Sequence, residues 1–148
     1  MIHKLYVPLE PEWSPLSQRV TPLAGCETPD PLNPSFLHDI FARVGGPDAT
    51  PVRAETMLTI GQSHVIGDNM WLWRADHAVG GTVTYSSNQV KHGVIVDGDD
   101  VHMYGLAVEH TLEDLTIWNG ERGRTFFYQS ELPYVVTQEE FPLNYSGY

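Results

Sequence analysis

"MLTIGQSHVIGDNMWLWRADH" (57–77) and "GVIVDGDDVHMYGLAVEHTLE" (93–113) decide the fold when one is laid over the other. At a constant offset Ile60 falls on Val96, Val65 on Val101, Met70 on Leu106 and Leu72 on Val108. In both copies short runs of β-branched, aliphatic or aromatic residues flank a turn of Gly, Ser, Asp or Asn, the signature of strands rather than helices. A third unit, "TIWNGERGRTFFYQSEL" (116–132), continues at a shorter offset, with Val96 facing Trp118 and Val108 facing Tyr128. The Gly/Ser/Asn-rich insertion "HAVGGTVTYSSNQVKH" (77–92) accounts for the longer spacing. Units of this kind bury their apolar face only by stacking on a neighbour. The expected fold is therefore all-β: a right-handed parallel β-helix, a short solenoid of about four coils. Ile60, Val65, Leu72, Val96, Val101, Val108 and the aromatics of the last unit should face inward. A β-sandwich, whose strands also recur at short spacing, is the alternative.

Working outward, strands are expected at 40–44, 57–60, 70–75, 93–96, 101–104, 106–109, 115–118 and 125–129, and no segment sustains a helical period for three turns. Upstream, residues 1–36 carry Pro8, Pro11, Pro15, Pro22, Pro29, Pro31 and Pro34. Proline removes backbone donors, so this is read as an irregular, proline-rich extended or capping segment with one short strand near residues 4–7. Residues 37–135 form the β-helix and 136–148 a tail or cap.

A formal net charge of −11 excludes a nucleic-acid partner, which needs clustered Lys and Arg. No apolar run is long enough to span a membrane, and the N-terminal residues lack the pattern of a signal peptide. A lone cysteine, Cys26, makes neither an internal disulfide nor a thiolate zinc site. His-x-x-x-His pairs, Gly-x-Ser-x-Gly elbows and phosphate-cradling loops are all missing from the sequence, so no metal ligand or cofactor-binding residue is assigned.

Carboxylates carry the chemical signal. Asp76 closes "WLWRAD"; Asp99 and Asp100 sit in the next turn, where one coil brings the chain back alongside. Crowded carboxylates push their pKa values apart, leaving one protonated to donate to a glycosidic oxygen and another ionised to activate water. The same Asp-Gly-Asp-Asp string is a good turn in its own right, and calcium is a possible rival ligand for it. His77 and His110, beside Asp76 and Glu109, are candidate substrate hydrogen-bond donors, and Glu109 is grouped with them. Trp71 and Trp73 alternate with Leu72, so if Leu72 is inside they share the outer face as a candidate sugar platform.

Together "NPSFLHDIFARVGGP", "VIGDNMWLWRADH", "GVIVDGDDVHMYGLAVEH" and "TIWNGERGRTFFYQSELPY" resemble the pectin-lyase-like β-helix segment of large secreted microbial proteins, a group also labelled coagulation factor 5/8 type or adenylyl cyclase proteins. More distantly the chain resembles bacterial α-1,3-glucanases and mycodextranases, inverting glycoside hydrolases. That resemblance implies a neutral polysaccharide, an α-glucan, as substrate, Asp76, Asp99 and Asp100 as the catalytic set, and an extracellular setting. A non-catalytic carbohydrate-binding β-helix, or a structural module forming homo-oligomers through open solenoid ends, are the competing readings.

Overall fold

The computed structural model describes residues 19–20, 30–46, 51–78, 81–82 and 84–134, together with 137 and 139. Among these, eleven strands form: β1 (Arg19–Val20), β2 (Ser35–His38), β3 (Phe41–Val44), β4 (Ala54–Ile60), β5 (Val65–Arg74), β6 (His77–Ala78), β7 (Gly81–Thr82), β8 (Val90–Val96), β9 (His102–Glu109), β10 (Thr116–Trp118) and β11 (Arg124–Glu131). Nine of them build two parallel sheets. One runs β1-β4-β8-β10; the other runs β11-β9-β5, with β2 and β3 both pairing with β5. The chain alternates between the sheets, so each coil contributes one strand to each, apart from the first, which gives β2 and β3 to the second sheet. This is a parallel β-helix, and the parallel ladders rule out the antiparallel sandwich. The expected strand near residues 4–7 and the tail at 136–148 fall almost wholly outside the described residues.

Core residues stack in files across the rungs. Leu58 pairs with Val94, Ile60 with Val96, Met70 with Leu106 and Leu72 with Val108, all buried. Each such side chain contributes about 1.5–3 kcal/mol by leaving water. Val96 pairs with Trp118 as expected, but Tyr128 pairs with Leu106 and Ser130 with Val108. The expected Val108–Tyr128 match is thus two residues out. Of the aromatics of the last unit, Trp118 packs against the core, but Phe126, Phe127 and Tyr128 are exposed on β11, the outermost strand of its sheet.

A column of bulges shapes the second sheet. Asp39, Asn69, Gly105 and Phe127 occupy equivalent places on successive rungs, all with positive φ (53°, 52°, 78° and 65°). Each bulge takes one residue out of the ladder on every rung alike, so the register is kept while the alternation of faces shifts. That is why Val65 and Gly67 face inward before it, and Met70, Leu72 and Arg74 after it. It also joins the two runs flanking Gly105 into one strand.

The turn "VDGDD" is a second stacked device. A Cβ on Gly98 would lie 2.0 Å from the Gln62 carbonyl oxygen, and one on Gly120 would lie 1.9 Å from that of Gly98. Turns at this corner therefore nest only where glycine lets backbone meet backbone. The insertion at 77–92 opens with the antiparallel β6–β7 pair rather than being loop throughout. Arg74 anchors its far side. The guanidinium is fully buried, and it donates to the carbonyls of Asn88 (2.9 Å), His110 (3.2 Å), Ser87 (2.6 Å) and Thr84. Burial pushes its pKa down to about 10.

Candidate active site

The two carboxylate groups singled out from sequence lie at opposite ends of the second sheet. Asp100 sits before β9, with its carboxylate 3.7 Å from His64, which sits before β5. Asp76 follows β5. Ten strand residues separate these positions, roughly 30 Å of extended chain. Asp76 therefore does not converge with Asp99 and Asp100, and the three-aspartate cluster is corrected. The cause is the insertion: it lengthens the coil, so the turn after β8 stacks on the turn before β5, not on its end.

At the first corner every aspartate has a local partner. Asp97 accepts from Asn119 Nδ2 at 2.8 Å and Asp99 from the Glu121 backbone N–H at 2.8 Å. Asp100 takes a two-pronged pair from Arg122, Nε at 2.9 Å and Nη2 at 2.8 Å. The Arg122 hydrogen bond, opposed by some burial and helped by the cation's charge, holds the Asp100 carboxyl below the usual range. Neutralised carboxylates of this kind build a corner. Calcium gains no support there, since among the described residues no group of three or more His, Cys, Asp or Glu is placed to hold a metal ion.

At the other end the remaining candidates do meet. Trp73 and Glu109 are register partners on β5 and β9, and Glu109 pairs in turn with Glu131 on β11. Asp76, only 6% exposed, accepts from Trp73 Nε1 at 3.1 Å and contacts His77 Nδ1 at 2.7 Å. His110 is buried between carboxylates, with Nε2 3.6 Å from Asp76 and 3.7 Å from Glu131. Its Nδ1 lies 3.0 Å from the Leu132 carbonyl, which can only accept, so Nδ1 carries a proton. Gln129 Nε2 donates to Glu109 (3.0 Å) and to Glu131 (2.9 Å), and the Tyr134 hydroxyl donates to Glu131.

The carboxyl groups at this end titrate in opposite directions. Glu109, 5% exposed, is raised: burial dominates, the Trp71 indole hydrogen bond and His110 oppose it, and the charges of Glu131 and Asp76 add to it. Burial pushes Asp76 up as well, but the His77 hydrogen bond, the His110 charge and the Trp73 indole outweigh it and leave it lowered. Divergent carboxyl groups of this kind are what acid–base chemistry requires.

Beside them an open cleft of about 420 Å³ runs over β5, β9 and β11, lined by Trp71, Glu109, Phe127, Gln129 and Glu131 among others. Trp71 and Trp73 do share the outer face, stacked at 5.1 Å and 25°. Phe41 meets Trp71 edge-on at 4.9 Å, and the Arg43 guanidinium covers Trp73 at 4.8 Å. Trp71 is thus the tryptophan left open to the cleft, at 39% exposure, while Trp73 serves Asp76. Sequence reading missed Gln129, Glu131, Tyr134 and Phe41. The Val96–Trp118 spacing, carried on to Glu109, points straight at Glu131 and was the available signal.

The LAM55 pectate lyase-like domain profile matches residues 19–131. The chain belongs to that family. It is 43% identical over 102 residues to the exo-β-1,3-glucanase of Streptomyces sp. (strain SirexAA-E / ActE), a match covering 69% of this chain and 16% of that protein. The structure of sacteLam55A from Streptomyces sp. SirexAA-E superposes with a TM-score of 0.71 at 34% identity, over 84% of this chain and 24% of that one. A variant of sacteLam55A in complex with glucose gives 0.67 at 38% identity, over 73% and 19%. The chain thus spans about a sixth of the curated relative's length. These matches support the pectate-lyase-like glycoside hydrolase β-helix and overturn the α-1,3-glucanase and mycodextranase relationship, together with its α-glucan substrate. The Asp76…Asp99–Asp100 spacing behind that relationship reflects where turns fall along the chain, and the sheet register separates those residues.

Proposed function

We propose that this LAM55-family chain forms part of a β-1,3-glucan hydrolase, and that its cleft at the β5–β9–β11 end receives a glucosyl residue. The observation that carries this is Glu109: a carboxyl with a raised pKa, lining a cleft walled by Trp71, beside carboxylates that stay distinct from it. Glu109 gives its proton to the glycosidic oxygen as the bond from that oxygen to the sugar's anomeric carbon breaks. Water adds to that carbon from the opposite face of the sugar and releases its proton to solvent, while Glu131, which shares Gln129 Nε2 with Glu109, lies on the acid's own side and tunes it. The name of the curated relative and the glucose in a solved neighbour support the choice of sugar.

The test measures binding of β-1,3-linked oligosaccharides and release of glucose from β-1,3-glucan, separately, for wild type and Glu109→Gln. Wild type should bind and hydrolyse, and the variant should bind while losing roughly 10²–10⁴-fold in rate. Binding without hydrolysis by wild type would move the chain to a glucan-binding role within a longer enzyme. No binding at all, or full activity in Glu109→Gln, overturns the proposal.

A further inference from the structure

Phe127 stands apart in the bulge column. At equivalent places the other rungs carry Asp39, Asn69 and Gly105. Those residue types enter the left-handed region at low cost, Gly for want of a Cβ, Asn and Asp through local hydrogen bonding. An aromatic residue there, at φ 65°, is a true outlier. Core packing does not explain it, because Phe127 is 76% exposed. Its side chain instead lines the cleft that Trp71, Glu109, Gln129 and Glu131 also line. A strained bulge has turned a large ring out of the sheet into the cleft. Strain of this kind persists where surrounding structure enforces it, and it gathers at ligand sites.

We infer that Phe127 is a sugar-contacting residue of this cleft, supplying an apolar face to a pyranose ring held near Trp71 and Glu109. This rests on the reading of the cleft as a β-1,3-glucan site, and it adds a residue whose backbone cost and ligand benefit have opposite signs. That opposition gives the test. Phe127→Asn places at this bulge the residue type that Asn69 shows to be at home in the column. It should raise Tm by about 4 °C, by relieving backbone strain. It should also weaken β-1,3-linked oligosaccharide binding by roughly three- to tenfold. Phe127→Trp should keep binding near wild type.

Calorimetry for Tm and titration calorimetry with a β-1,3-linked trisaccharide read the two arms, with Trp71→Ala alongside. If Phe127→Asn binds as wild type does while Trp71→Ala loses binding, the inference fails and the cleft reading stands. If Phe127→Asn lowers Tm and binding together, the residue is structural and the inference fails. If wild type does not bind the trisaccharide, the cleft reading falls and takes the inference with it.

Discussion

The two ends of the second sheet hold similar numbers of acidic residues and use them differently. Before β5 and β9, Asp97, Asp99 and Asp100 are matched by Asn119, a backbone N–H and Arg122, mostly in the open. After the same strands, Asp76, Glu109 and Glu131 crowd around one buried histidine and one glutamine. Density of carboxylates along the chain does not separate these ends. What separates them is whether each charge finds a cation or turn amide within its own corner. Compensated acids leave the corner inert, whereas burial, with the charges of Glu131 and Asp76 adding to it, pushes Glu109 toward its neutral form, ready to donate a proton.

Breaking the support beneath the reactive end should have the largest effect. Arg74→Met removes a guanidinium that satisfies four backbone carbonyls, three of them on the insertion. Methionine fills part of the space but donates nothing. Leaving several carbonyls unpaired should cost roughly 3 kcal/mol or more, seen as a lower midpoint in urea unfolding. Glucan binding should weaken in step, because His110, whose carbonyl Arg74 holds, also contacts Asp76 and Glu131.

pH sharpens the comparison within the reactive end. The raised Glu109 pKa contributes stability that is full below its unfolded value and is lost as pH rises through the folded one. Glu109→Gln should therefore raise Tm at pH 7, with the gain shrinking toward pH 4. Asp76 has the opposite sign: its lowered pKa contributes stability above its unfolded value, lost as pH falls through the folded one. Asp76→Asn should cost roughly 1–2 kcal/mol at pH 7 and progressively less below about pH 4. Parallel pH profiles for the two variants would dissolve the distinction between a proton-carrying and an ionised carboxyl.

Much of this fold was legible because core files repeat. Ile60 over Val96 and Leu72 over Val108 are visible as letters, and the observed register keeps them. The bulge column was not, since a residue's φ leaves no periodic trace when Asp, Asn, Gly and Phe all occupy it. Tyr128 was misplaced for a separate reason: the offset that sets Trp118 on Val96 runs unbroken through Phe127 and sets Tyr128 on Leu106. At the site, Asp76, Glu109, His110, Trp71 and Trp73 were found because they cluster around "WLWRADH" and "AVEH". Glu131 and Gln129 lie a coil away, and only the correct register brings them in. Asp99 and Asp100 misled for a physical reason: acids are as useful to a glycine-nested turn as to a reaction, and composition is the same in both.

The smallest effects should come from the compensated corner, and they test the comparison from its other side. Asp100→Asn keeps the backbone comfortable, since asparagine accepts the φ of 53° that Asp100 adopts. It removes the charge that Arg122 grips. Exposed pairs of this kind contribute little and are screened by salt. Asp100→Asn should therefore lower Tm slightly at low ionic strength, with the difference fading as salt is raised. Asp99→Asn keeps an oxygen for the Glu121 N–H and should shift Tm less still. Neither should change glucan binding or hydrolysis, because the site lies a whole strand away. A large loss of hydrolysis in either variant, with Tm unchanged, would place the chemistry at this corner and reverse the assignment of the two ends.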